Sequence, residues 1–220
     1  ITTREAEPTG IVFPWNDGNQ EEPIPQLRPD IPVLNEKGKP VKYRFPKGAR
    51  MLLNRLRDSG EGPALIVEGT KQQYTGLSYA PSEFAVYGLS GCWSWTDADL
   101  SWAMGRDIFI LFDGDLTTNK DVHQAASEFA EKLDLSGAGT VQFVRTTARG
   151  TDGLDDVLAK LPNDKRAQYL KLWISKALPK LPLARTTAAL VISSSCWVYR
   201  STRRTNRVIG TSGWGQVTPC

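Results

Sequence analysis

The chain has 220 residues, 40% apolar and 23% charged, enough for one globular domain with an extension or for two small domains. No apolar run approaches the ~18 residues of a membrane span, and no basic-then-apolar start marks a signal peptide, so a cytoplasmic protein without a membrane partner is expected. Three widely spaced cysteines, Cys92, Cys196 and Cys220, build neither a disulfide framework nor a zinc site, and the single histidine, His123, excludes centres that need several imidazoles.

The chain opens on Ile1 and reads as a piece processed or excised from a larger protein. Residues 1–40 are rich in proline (Pro8, Pro14, Pro23, Pro25, Pro29, Pro32, Pro40) and show no periodicity, which predicts an extended arm or a linker. A basic run follows: Lys37, Lys39, Lys42, Arg44, Lys47, Arg50, Arg55 and Arg57, with Tyr43 and Phe45 inside it. A second cluster is Arg200, Arg203, Arg204 and Arg207, and the stretch between, residues 97–156, is acidic. Basic flanks around an acidic centre suit a phosphate polymer plus a metal; solvated surface faces would give the same composition.

From residue 64 the pattern alternates. Residues 64–67 form a short apolar run ended by Glu68-Gly69, a buried strand with a turn after it. Residues 70–78 suit a helix, and 84–89 a second strand. Residues 96–104 read as a helix with Thr96 as its N-cap. Residues 107–112, apolar on both faces, predict a central parallel strand. Residues 119–133 place Val122, Ala125, Ala126, Phe129, Ala130 and Leu133 on one helical stripe. A strand at 140–144, a short helix at 153–158 and a helix at 163–178 aligning Ala167, Leu170, Ile174 and Ala177 follow, and Pro179 ends the last. Residues 188–192 and 196–199 resemble strands. The expected architecture is α/β, a mostly parallel central sheet flanked by helices, with an arm or linker at 1–40, the domain at 41–180 and an extension at 181–220.

In a parallel sheet, functional groups gather at the carboxyl ends of the strands. Glu68 follows the first such strand; Asp113 and Asp115 follow the most apolar one, and residues two apart in an extended chain point the same way. Gly69 and Gly114 keep the backbone slim beside them. Three converging carboxylates repel one another unless a hard cation such as Mg²⁺ or Mn²⁺ sits among them. Such an ion activates a nucleophile and stabilises a phosphoryl transition state. Alone, a D-x-D after a strand is more often a helix cap or loop than a metal site; its pairing with Glu68 at this separation favours the metal. Arg145 and Arg149 follow the fourth strand and suit phosphate. Trp93, Trp95 and Trp102 suit base stacking or, for at least two of them, the core. Ser90-Gly91 offers backbone N–H groups to phosphate without a Walker motif, and His123 reads as an exposed helix residue.

The order Leu65-Ile66-Val67-Glu68-Gly69 and then Phe109-Ile110-Leu111-Phe112-Asp113-Gly114-Asp115 resembles the Toprim fold of primases, topoisomerases, recombination proteins and related nucleases. Within it the chain looks most like the Toprim-like domain of phage and plasmid replication proteins. The supporting segments are Glu68-Gly69-Thr70-Lys71, Gly88-Leu89-Ser90-Gly91-Cys92-Trp93, Asn119, Gly153-Leu154-Asp155-Asp156-Val157-Leu158 and Tyr43-Arg44-Phe45-Pro46-Lys47-Gly48. The resemblance spans roughly residues 41–160. It implies that Glu68 is a general acid/base or a metal ligand, that Asp113 and Asp115 are catalytic metal ligands, and that Asp155 and Asp156 either join the metal site or cap a helix. Lys71 implies a phosphate contact or an exposed helix charge, and Lys42, Arg44, Lys47, Arg50, Arg145 and Arg149 complete the nucleic-acid contacts. The implied cofactor is Mg²⁺ or Mn²⁺; the implied partners are DNA, single-stranded or as primer–template, nucleotides, and a replicative helicase. The activity expected is primase-related nucleotidyl or phosphodiester transfer in a bacterial or phage-infected cell. The alternatives are a metal-dependent nuclease using the same residues and a non-catalytic module that binds DNA or a helicase.

Overall fold

A computed structural model describes residues 9–50, 52–179 and 181. The strands expected at 188–192 and 196–199, the second arginine cluster, Cys196, Cys220 and all but the first residue of the expected extension lie outside the described residues.

Within the proline-rich stretch, β1 (Gly10–Trp15) and β2 (Ile24–Pro29) pair as an antiparallel hairpin in which Pro14 faces Pro25. A two-stranded pair tolerates proline because the outer side of each strand needs few donors; on that side of β2, Leu27 is bridged to Arg44. The hairpin is anchored by Trp15, fully buried with its ring edge-on to Phe45 at 5.3 Å. Two short strands, β3 (Val33–Leu34) and β4 (Pro40–Val41), form a second antiparallel pair.

The main sheet has five strands in the order β5 (Asn54–Arg57), β7 (Ala85–Leu89), β6 (Ala64–Glu68), β8 (Asp107–Leu111), β9 (Thr140–Phe143). β5 runs antiparallel at one edge and the other four are mutually parallel. The sheet is therefore mixed and mostly parallel, as the apolar run of β8 predicts. The antiparallel edge strand is concealed in the basic run. Arg57 there is a structural residue, its guanidinium donating to the carbonyls of Leu77, Ala80, Phe84 and Pro81.

Strand periodicity sorts the core into two layers. Ala64, Ile66, Tyr87, Ile108 and Ile110 point to the face covered by α2 (Lys120–Leu135), whose stripe Val122, Ala126, Phe129 and Leu133 is buried there. Leu65, Val67, Val86 and Leu111 point to the opposite face, with Leu154, Val157 and Leu158 of α3 (Leu154–Ala159) and Leu170, Trp173 and Ile174 of α4 (Arg166–Ile174). α1 (Thr70–Tyr79) packs on this second face. Asn119 caps α2, its side chain accepting from the Asp121 N–H at 3.1 Å.

Two expectations are corrected. Residues 96–104 form turns and a single 3-10 turn at Ser101–Ala103 rather than a helix, because Asp99 accepts the Ser101 N–H at 2.9 Å and competes with helical pairing. Helix α4 is shorter than 163–178, a 3-10 turn (Asn163–Lys165) precedes it, and Ala167 is exposed rather than on the buried stripe. Among the described residues no helix is long and apolar enough to cross a membrane.

Candidate functional site

β6 and β8 are adjacent and parallel, with Val67 opposite Leu111. Glu68 and Asp113 therefore leave the same, carboxyl edge of the sheet from neighbouring strands. Gly69, at φ 91°, turns the chain sharply into α1, and its N–H donates to the Leu89 carbonyl at 2.7 Å. Gly114 lets the loop after β8 meet the loop after β9: a Cβ there would lie 2.6 Å from the carbonyl carbon of Ala148 and the nitrogen of Arg149.

The electrostatics of this edge are unfavourable to its own charges. Burial pushes the Glu68 carboxyl up from its ordinary 4.5 to about 7, and the charges of Asp113 and Asp115 push the same way. The backbone N–H groups of Cys92 and Asp113 offset this only in part, and the buried Oε2 of Glu68 has no hydrogen-bond partner. Asp113 rises to about 6, first through burial, then through Asp115, Asp155 and Asp156, against the opposing hydrogen bond from Gln72. Two raised carboxyls and an orphaned carboxylate oxygen at one edge are the environment that a divalent cation relieves.

Asp115 closes the turn after β8. Its backbone carbonyl accepts the N–H of Thr118 and Asn119, and its Oδ2 accepts from the Asn119 side chain at 3.0 Å. Asp156 Oδ2 accepts the Gly153 N–H at 3.1 Å, which is a helix cap, while Asp155 sits 3.7 Å from the Lys71 ammonium. Both still act on Asp113 through their charge. Among the described residues, no group of three or more His, Cys, Asp or Glu side chains could hold a metal ion as placed.

Gln72, absent from the sequence-based candidates, is the residue that ties these loops together. It is 7% exposed; its amide N–H₂ donates to Asp113 and its carbonyl accepts the Leu154 N–H at 2.9 Å. It thereby joins α1, the end of β8 and the start of α3. A polar side chain on the buried face of a weakly amphipathic helix is the only sequence signal for it. Gln72→Leu should leave the Leu154 N–H unsatisfied and cost about 1–3 kcal/mol, read as a lower urea midpoint at unchanged m-value. An unchanged midpoint would show that the amide carries no structural role.

The basic residues divide. Arg145 and Arg149 lie in the loop after β9, at the carboxyl edge. Lys42, Arg44 and Lys47 are exposed on a different segment, where Tyr43 packs against Phe13 of the hairpin at 6.2 Å. Arg50 is engaged with Asp17 at 2.6 Å. Trp95 is buried and Trp102 stacks on Tyr87 at 3.8 Å, so both are core, whereas Trp93 is 38% exposed. His123 is half-buried, not exposed. Ser90 donates its backbone N–H to the Ser94 hydroxyl at 3.1 Å.

The chain matches no protein-family model, no curated protein and no solved structure.

Proposed function

We propose that this chain carries a Toprim-like, divalent-metal-dependent centre for phosphodiester or nucleotidyl transfer on nucleic acid, in a primase-related module of phage or mobile-element replication. The observation that supports it is the arrival of Glu68 and the Asp113-Gly114-Asp115 segment at one sheet edge from adjacent parallel strands. Asp113 and Asp115 are the proposed ligands of Mg²⁺ or Mn²⁺. When bound, the ion supplies Lewis-acid stabilisation of a phosphoryl group and a nucleophile at neutral pH. Glu68, whose carboxyl sits near 7, suits proton transfer at physiological pH, which needs a group that exchanges readily there. Lys42, Arg44 and Lys47 supply phosphate contacts away from the centre, and DNA, nucleotides and a replicative helicase are the proposed partners.

Incubation with labelled single-stranded and duplex DNA, nucleotides, and Mg²⁺ or Mn²⁺ tests the activity. Primer formation or extension supports the primase-related reading. Cleavage without incorporation assigns a nuclease, and DNA binding without turnover in any divalent metal assigns a non-catalytic module. Separately, replacing Lys42, Arg44 and Lys47 with alanine should lower the slope of log affinity against log salt by about 0.7–0.9 for each phosphate no longer neutralised. An unchanged slope would remove this segment from the nucleic-acid interface.

A further inference from the structure

The β3–β4 pair is a ribbon that no core layer covers. Every residue from 30 to 40 is exposed, Ile31 at 85%, Val33 at 52% and Leu34 at 62%. Val33 faces Val41 across the pair and Leu34 faces Pro40, and successive residues of a strand point to opposite faces. The ribbon is therefore apolar on both faces, and none of these side chains belongs to either core layer.

The ribbon is preformed at both ends. At its tip, the Asn35 side chain accepts the N–H of Lys37 at 3.0 Å and of Lys39 at 2.9 Å, and Gly38 turns the chain at φ 70°. At its foot, Leu27 and Arg44 exchange backbone hydrogen bonds of 2.8 Å, and Arg28 lies over the Tyr43 ring at 5.8 Å. Farther back on β2, Gln26 accepts from the Thr70 hydroxyl at 2.6 Å, and Thr70 opens α1 directly after Glu68-Gly69. The ribbon is thus tied to the loop that carries Glu68.

Its chemistry argues against two kinds of partner. A bilayer would have to admit the charged turn, with Glu36, Lys37 and Lys39, before the aliphatic side chains. Interfaces between proteins centre on aromatic and arginine anchors and are depleted of lysine, whereas residues 30–42 contain no aromatic residue and no arginine. Isoleucine, leucine and proline are instead the side chains of an apolar wedge that enters between base steps. Charge fits the same occupant. Lys37 and Lys39 lie on the tip side of the aliphatic residues, and Lys42, Arg44 and Lys47 on the foot side, against only Asp30 and Glu36. Among the described residues none of these five cationic side chains has an ion pair or a hydrogen bond. A duplex likewise places phosphates on both sides of its base stack.

We propose that the β3–β4 ribbon is a wedge that enters duplex nucleic acid and unstacks it, with Ile31, Val33 and Leu34 against bases and the lysines on either side against the flanking backbones. The inference rests on the reading that the chain acts on nucleic acid. It adds that the substrate is a duplex or a junction, opened by an element tied to the loop of Glu68.

The test uses the whole chain, in EDTA and again in Ca²⁺. The probes are a DNA duplex carrying an adenine analogue whose fluorescence rises on unstacking, and the same duplex with one mismatch. Wild type at saturation should raise the fluorescence of the paired duplex severalfold. It should bind the mismatched duplex at least about tenfold more tightly, since that site has already lost part of its stacking. The double substitution Val33→Ser/Leu34→Ser, at exposed positions, should lose the rise and bind the two duplexes alike. Ile31→Ser, outside both strands, should diminish both effects without touching their pairing. If wild type binds the duplex with no rise, or if both variants behave as wild type, the wedge is wrong and nucleic-acid binding stands. If neither duplex nor single-stranded DNA is bound, both fall. Sedimentation with phosphatidylserine vesicles, or self-association, that these substitutions abolish in a chain that leaves the duplex stacked would assign the aliphatic residues to a membrane or a second copy and overturn the wedge.

Discussion

Asp113→Asn should abolish metal-dependent turnover while leaving the metal-free protein at least as stable as wild type. Asparagine preserves the shape of the side chain and an oxygen to accept from the Gln72 amide, so the hydrogen bond joining α1 to the end of β8 survives. What it removes is a charge that burial and three neighbouring aspartates already disfavour. Relief of that repulsion stabilises the metal-free fold by roughly 1 kcal/mol. Loss of an anionic ligand weakens the ion, and an ion's several kcal/mol of transition-state stabilisation correspond to about 10³-fold or more in rate. Thermal melts with and without Mn²⁺ read the same change: wild type gains stability with metal, and the variant starts as high or higher and gains less. A role confined to capping would predict little change, since asparagine caps as well as aspartate.

The second large effect is in pH. In the folded, metal-free protein Glu68 titrates near 7, against an ordinary value of 4.5. Between these pH values the folded state binds more protons than the unfolded state, so stability is lost as pH rises from about 4.5 through about 7. The contribution is at most about 3 kcal/mol for Glu68, less what solvent screens, and Asp113 adds in the same direction. Denaturation in EDTA at pH 5 and pH 8 should therefore show wild type weaker at pH 8, and Glu68→Gln should flatten the difference. Saturating Mn²⁺ should oppose it, because the ion favours the ionised carboxylates and its binding tightens with pH. Equal pH dependence in wild type and Glu68→Gln would show that this carboxyl is not strained.

The strands that deliver the carboxylates are legible in the sequence because each is a continuous apolar run closed by a charged residue and glycine, a pattern that burial on both faces imposes. Helix α2 is legible for the opposite reason: one buried face and one wet face write a period near 3.6. Strand β5 is hidden because Arg55 and Arg57 make it read as surface, and only the folded chain shows Arg57 spent on carbonyls. The hairpin is hidden because it alternates poorly; Ile11 and Val12 are both exposed, and its anchors are Trp15, the Phe13 ring against Tyr74, and the buried Gln26, which accepts from the Thr70 hydroxyl. Of the site, the carboxylates are readable from chain order. Gln72 is not, since its role depends on the distance between α1, β8 and α3, which no local pattern encodes.

Anomalous diffraction from crystals soaked in Mn²⁺ tests the metal centre most directly. The proposal predicts one or two peaks at the carboxyl edge of the sheet, within about 2–2.5 Å of carboxylate oxygens of Asp113 and of Asp115 or Glu68. No peak there under saturating Mn²⁺, or a peak held by other residues, would contradict it.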